Sequence, residues 1–114
     1  MQVSLNGEPT GLVADVAETG EERRRGLLGR EGLSPGEGLY FAPAYLIHTI
    51  GMRFHLDLVF CDRAGRVVTV RRDVPPWRFV LCRRGHGVLE LPAGGADHHG
   101  IAPGDYIHLT GAPP

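Results

Sequence analysis

The stretch LDLVFCDRAGRVVTVRR, residues 56–72, determines the fold class of this chain. Its first six residues alternate as in a β-strand, which places two leucines and a phenylalanine on one face. The next four residues, DRAG at 62–65, predict a tight turn, because aspartate favours the first position of such turns and glycine the last. Residues 66–72 alternate again, so the whole stretch predicts a β-hairpin.

Shorter strand signals lie on both sides of this hairpin. The pair Asn6-Gly7 predicts the start of a hairpin loop between the first two strands, and residues 47–52 are predicted to be extended. Prolines and glycines bound most of these segments, as expected for strands that end in turns. The remaining strand segments are predicted at residues 2–6, 12–16, 38–41, 78–82, 87–91 and 106–109.

Two short helices are predicted beside these strands. Thr19 and Glu22 have the spacing of a capping box, which indicates a helix over about residues 20–28. Residues 93–99 can form one or two helical turns, with Gly100 as the C-cap. The pattern predicts a mostly β (α+β) fold, either a compact small barrel or a strongly curved antiparallel sheet of about seven to nine short strands.

Composition limits the classes of function. The 114 residues are close to the commonest domain size, so we expect one domain over residues 1–114. The net charge is −1 with neutral histidine, which gives no electrostatic argument for binding nucleic acid. No apolar run approaches the roughly 18 residues of a membrane span, and no signal peptide is visible. We therefore expect a soluble cytoplasmic protein.

Four blocks of sequence carry a family resemblance. In chain order they are EERRRGLLGR (21–30), EGLYF (37–41), HTIGMRFHLDLVFCDRAGRV (48–67), and VLELPAG (88–94) followed by GIAPGD (100–105). With these blocks the chain resembles the DUF192 (UPF0127) family over about residues 12–109, which implies a small β-rich fold but no established activity. Many members carry an aromatic residue just before the methionine of the central block, where this chain has Gly51.

The polar and soft residues of these blocks, with one loop tryptophan, form the candidate ligand site. Asp57 interrupts an apolar strand, and a buried carboxylate costs several kcal/mol unless it is hydrogen-bonded or paired. It could join His48 in binding a polar ligand or transferring a proton, or it could fix the fold by holding loop 48–55 in place. The candidate residues are His48, Thr49, Met52, Arg53, Asp57, Trp77 and Glu90.

Glu90 and Trp77 each have two interpretations. Glu90 lies between two leucines, so its side chain either meets solvent or pairs with an arginine such as Arg53 or Arg78. Trp77 follows two prolines and either forms a rigid exposed contact or caps one end of the barrel. The pairs Arg83-Arg84 and Arg71-Arg72 are interpreted as solvated strand ends, with a local anionic contact as the alternative.

No complete catalytic or metal-binding motif is visible. None of the six histidines belongs to an HExxH motif, and no ligand pair has the spacing of a zinc finger, so neither a metal nor another cofactor is expected. Cys61 and Cys82 lack a motif that marks a reactive thiol and are expected to be buried.

Three hypotheses for function follow. The leading one is a non-enzymatic binding module, in which a groove at residues 47–57 with Trp77 at its rim takes a peptide, a partner loop or a small polar molecule. The second is a small enzyme that uses His48 and Asp57 as an acid–base pair. The third is a structural domain that oligomerises through an exposed strand.

Overall fold

The computed structural model describes residues 1–19 and 31–111, which contain nine strands and one short helix. The helix predicted over residues 20–28 lies outside the described residues. In the described part of the chain no helix is long and apolar enough to cross a membrane. The elements are β1 (Gln2–Leu5), β2 (Glu8–Ala17), β3 (Glu37–Phe41), β4 (Leu46–His48), β5 (Leu56–Cys61), β6 (Val67–Val74), β7 (Phe79–Leu81), β8 (Gly87–Pro92), α1 (Gly95–His98) and β9 (Ile107–Thr110).

Seven strands form the main sheet, in the order β6-β5-β8-β3-β2-β1-β9. The predicted mostly β fold is confirmed, and the predicted hairpin of residues 56–72 is the antiparallel pair β5–β6. The sheet is mixed and not purely antiparallel, since β2 and β3 run parallel. Parallel neighbours require a crossover connection between them.

Strand β5 lies inside the sheet between β6 and β8, and all six of its residues are buried. Its successive side chains point alternately into two hydrophobic cores. Leu58 and its same-face neighbours join one core with β4 and β7, which we call the outer core. Val59 and its same-face neighbours join a second core with β1, β9 and α1, which we call the inner core. The sheet therefore carries a core on each face.

The main sheet curls until its two edge strands approach each other. An isolated bridge joins Arg66, next to β6, to Tyr106, next to β9. The amide of Ile107 donates a hydrogen bond to the carbonyl of Gly65 at 2.8 Å. These contacts join the two edge strands at one end only. The predicted strongly curved sheet is therefore confirmed, and the sheet does not close into a barrel.

Strands β4 and β7 form a separate two-stranded antiparallel ribbon. Ile47 and Val80 pair across it and point into the outer core. The prediction that residues 47–52 are extended holds only as far as His48. After that the chain turns, because the amide of Met52 bonds back to the carbonyl of Thr49 at 3.2 Å and Gly51 adopts a φ of 81°.

Local sequence signals set two turns as predicted. Asn6 and Gly7 both have positive φ, at 51° and 84°, as a type I′ turn between β1 and β2 requires. Helix α1 ends in a Schellman arrangement, in which Gly100 with φ 69° donates to Asp97 and Ile101 donates to Ala96. Both turns therefore follow from residue type alone.

We predict that Gly65→Ala destabilises the protein by about 2 kcal/mol or more, because two costs coincide there. Gly65 has a φ of 86°, and a β-carbon on it would lie only 2.5 Å from the carbonyl oxygen of Ile107. Urea denaturation followed by circular dichroism measures the loss.

The matched control is Gly100→Ala. Gly100 also has positive φ, but a β-carbon there would meet nothing within 4 Å. This variant should lose only the conformational part, about 1 kcal/mol. Equal losses in the two variants would show that the approach of β9 to residue 65 is not a stability constraint.

Candidate functional site

Asp57 is fully buried in β5 and accepts hydrogen bonds from three backbone amides. Its Oδ1 accepts from Asp73, at the end of β6, at 2.9 Å. Its Oδ2 accepts from Gly94 at 3.1 Å and from Ala96 at 2.9 Å. Gly94 is the N-cap residue of α1 and has no side chain of its own to cap the helix. The Asp57 carboxylate therefore supplies the cap from a neighbouring strand.

The structure does not bring Asp57 and His48 together as an acid–base pair. Asp57 is the cross-strand partner of Leu91, so it lies on the inner-core face of the sheet. His48 belongs to the ribbon, which packs on the opposite, outer-core face. The sequence-based idea that Asp57 holds loop 48–55 is also wrong in detail, since its bonds go to residue 73 and to the start of α1.

Thr49 organises the turn that carries Trp77. Thr49 is buried, and its hydroxyl donates to the carbonyl of Pro75 at 2.8 Å and accepts from the amide of Arg78 at 2.9 Å. Its backbone amide donates to the carbonyl of Arg78, and its carbonyl accepts from the amide of Trp77. Trp77 adopts a φ of 65°, which is costly for an aromatic residue and is held here by these bonds.

The other candidate residues separate into interior and surface positions. Met52 is part of the outer core. Glu90 is fully buried on the outer-core face, where Leu39 and Leu58 flank it on the adjacent strands, so its carboxylate does not meet solvent. Arg53 is exposed, and His48 is half-buried with its ring 6.2 Å from that of Phe79. Among the candidate residues, His48, Arg53 and Trp77 are therefore the ones that a ligand at the surface can contact.

A group of exposed apolar side chains lies on and beside the ribbon that carries His48, and the sequence analysis selected only Trp77 among them. Two of its members are opposite each other on the solvent side of the ribbon, as Leu46 pairs with Leu81. The signal was the run Phe79-Val80-Leu81: a strand with one covered face buries Val80 and leaves Phe79 and Leu81 exposed. We call this cluster the ribbon face, and its members are Tyr45, Leu46, Trp77, Phe79 and Leu81.

Metal and thiol chemistry find little support in residues 1–19 and 31–111. In that part of the chain no three histidine, cysteine, aspartate or glutamate side chains converge on a metal position. Cys61 and Cys82 are both buried free thiols. Burial raises the pKa of Cys61 to about 12, and the nearby charges of Asp62 and Cys82 add to the shift. A thiol held protonated in this way is a poor nucleophile.

We predict that Asp57→Asn destabilises the protein by about 2–4 kcal/mol. The amide that replaces one carboxylate oxygen is a donor, so it must face at least one of the three backbone donors and leave it unsatisfied. Chemical denaturation of the variant and the wild type measures the difference.

Asp97→Asn is the matched control, because Asp97 lies in α1, is exposed, and pairs with Arg72 only at the surface. Its loss should stay below about 1 kcal/mol. If Asp57→Asn were no more destabilising than Asp97→Asn, the carboxylate would not be the capping group we describe.

We also predict that the free energy of unfolding falls as the pH rises from about 9 to about 12. In this window the Cys61 thiol of the unfolded chain loses its proton, starting near 9.0, while the folded thiol with a pKa of about 12 keeps it. The folded state then binds more protons, so rising pH favours unfolding. Cys61→Val should remove about 1 kcal/mol of the decline between pH 8 and pH 10, and identical slopes would contradict the assignment.

Comparison with known proteins places these features in a family. The model of DUF192, described as "Uncharacterized ACR", matches residues 1–109. A search of curated proteins finds no match. A solved protein of unknown function from Novosphingobium aromaticivorans is similar, with 25% identity and a TM-score of 0.80, covering 95% of this chain and 84% of that one. Another, from Sinorhizobium meliloti, is described as a "putative transcription regulator" and has 25% identity and a TM-score of 0.77, covering 85% of this chain and 81% of that one. The chain therefore belongs to the DUF192 family.

Proposed function

We propose that this protein is a non-enzymatic interaction module that binds an extended segment of a partner protein at the ribbon face. The observation that carries the proposal is the exposure of large apolar side chains there: Phe79 is 68% exposed and Trp77 is 66% exposed. Single exposed apolar residues are ordinary on protein surfaces, whereas a contiguous group of them is typical of an interaction site.

The ribbon arranges these side chains as one surface. Leu46 lies opposite Leu81, and His48 lies opposite Phe79, so four side chains of two strands share the solvent side. Trp77 is adjacent in sequence to this surface, in the turn that Thr49 fixes. Because that turn is already ordered by hydrogen bonds, a partner would meet a preformed contact and lose little conformational entropy in Trp77.

An extended segment suits this surface because the ribbon has only two strands. Within residues 1–19 and 31–111, neither β4 nor β7 pairs with a third strand. A strand edge offers backbone donors and acceptors to an incoming peptide, and the side chains beside it select the peptide's apolar residues. A partner segment that pairs with the ribbon as a third strand would use both the backbone groups and the apolar side chains.

Charge around the ribbon indicates the chemistry of the partner. Residues 45–56 and 75–82, which contain the ribbon and the turns next to Thr49, include two arginines but no aspartate or glutamate. The total charge of the chain is only −1, so this basic character is local. A partner segment that alternates apolar and acidic residues complements the surface.

Two other functions are less well supported by the geometry. An acid–base enzyme would need His48 and Asp57 together, and they belong to opposite faces of the sheet. The Sinorhizobium meliloti protein is described as a "putative transcription regulator", but the near-neutral charge of this chain does not favour binding to DNA.

Fluorescence anisotropy with short labelled peptides tests the proposal. We expect a peptide that alternates valine and glutamate to bind at least about tenfold more tightly than the same peptide with lysine in place of glutamate. Phe79→Ser and Leu81→Ser should each weaken binding by about tenfold or more, as expected for central apolar contacts.

Val13→Ser is the matched control, since Val13 is a comparably exposed apolar residue on β2, away from the ribbon. Equal weakening by Val13→Ser and Phe79→Ser, or equal binding of the glutamate and lysine peptides, would refute the proposal. Sedimentation equilibrium completes the test, because self-association that Phe79→Ser abolishes would indicate the oligomerising domain instead.

A further inference from the structure

A second surface feature, separate from the ribbon face, is an open cleft of about 570 Å³. Three chain segments line it: the segment that leads into β4, the turn between β5 and β6, and the turn between β7 and β8. Its volume lies within the range of small-molecule sites. The segments are residues 43–45, 62–64 and 84–86.

Backbone hydrogen bonds hold the three segments together. The amide of Ala44 donates to the carbonyl of His86 at 2.6 Å, and the amide of His86 donates to the carbonyl of Cys61 at 2.8 Å. Gly85 packs so closely that a β-carbon on it would lie 3.0 Å from the Cys82 carbonyl oxygen and 3.2 Å from the Phe60 ring. Hydrogen bonds and close packing therefore fix the shape of the cleft.

Two arginines line this cleft without a counter-ion. Among residues 1–19 and 31–111, neither Arg63 nor Arg84 forms a salt bridge or a side-chain hydrogen bond. A guanidinium offers five donors in a planar fork that matches carboxylate and phosphate oxygens. Two such groups on one cleft favour an anionic ligand.

The single carboxylate in the cleft, that of Asp62, is hydrogen-bonded to backbone amides. Asp62 Oδ1 accepts from the amide of Ala64 at 2.9 Å and from the amide of Arg66 at 3.0 Å, which fixes the turn between β5 and β6. This turn places Arg63 on the cleft wall. With two arginines and one aspartate, the lining has a net positive charge.

Besides these charged residues and His86, the lining is apolar or aromatic. Tyr45 is 60% exposed and lies beside Pro43 on the wall. A free oxyanion would fill only a small part of the volume, so the cleft suits a ligand that joins an oxyanion to a flat apolar group. Arginine forks would hold the anion, and the tyrosine and proline would cover the flat group.

We propose that this cleft binds a small molecule that carries a phosphate or carboxylate on a flat apolar body, with Arg63 and Arg84 as the anion ligands. The site is independent of the protein segment proposed for the ribbon face, because it uses different side chains apart from Tyr45 at its border. With this site the protein would bind a second class of ligand.

Titration of the full chain with phenyl phosphate, inorganic phosphate and benzoate, followed by amide chemical shifts in two-dimensional NMR, tests the proposal. Each titration is run at constant ionic strength against sodium chloride. We expect saturable shifts centred on residues 44–45, 63–64 and 84–86, with phenyl phosphate binding at least about tenfold more tightly than inorganic phosphate. Comparison with benzoate shows which anion the arginines prefer.

The substitutions Arg63→Gln and Arg84→Gln should each weaken phenyl phosphate binding by about tenfold or more, as for the loss of a charge-assisted hydrogen bond. Arg83→Gln is the matched control, because Arg83 is an exposed neighbour that does not line the cleft. Tyr45→Ala should weaken phenyl phosphate more than inorganic phosphate.

Three outcomes would overturn the proposal: no saturable shifts, shifts spread over all exposed arginines, or equal weakening by Arg83→Gln and Arg84→Gln. Phe79→Ser separates the two proposed sites. Phenyl phosphate binding should survive this variant, so failure of peptide binding at the ribbon face leaves the result for the cleft intact.

Discussion

Asp57 places a carboxylate in a strand that is buried on both faces, where a charged group must be hydrogen-bonded. The positions of the neighbouring elements depend on the backbone donors that satisfy it. All six residues of β5 are buried, and the donors to Asp57 come from the chain itself. One comes from the end of β6 and two from the start of α1. A four-residue helix has little stability alone. Its position depends on this cap and on Ala96 in the inner core. One side chain thus fixes a hairpin end and a helix start relative to the central strand.

The elements that sequence predicts well are those whose determinants are local. Alternation and turn chemistry lie within a few residues of each other in the β5–β6 hairpin, and the positive φ of Gly7 and Gly100 follows from residue type. The order of strands could not be predicted, because β3 lies between β2 and β8 through contacts between distant segments. The extended prediction for residues 47–52 failed for a similar reason: the partners of Thr49 are 26 to 29 residues away.

Sequence reasoning about the site had a systematic bias toward polar residues. It selected Asp57, Thr49 and Glu90 because they are polar residues of the blocks that carry the family resemblance, and the first two serve the fold through hydrogen bonds to the backbone. It passed over Phe79 and Leu81 because apolar residues are expected inside. It interpreted Arg84 as a solvated strand end, because nothing near it in sequence reveals that the turn after β5 lies across from it. Trp77 was selected as a loop aromatic, and in the structure it is exposed in a turn that is hydrogen-bonded to Thr49.

The pairing of β1 with β9 has a consequence for how the protein forms. Gln2 is opposite Thr110, so the two ends of the described chain are neighbours in one sheet. Contacts between residues so far apart in sequence carry a large loop-closure cost, and proteins dominated by them fold slowly. Synthesis proceeds from the amino terminus, so β1 must wait for nearly the whole domain before it gains its second neighbour. Until then the nascent chain exposes an open strand edge, and such an edge is prone to pair with other chains.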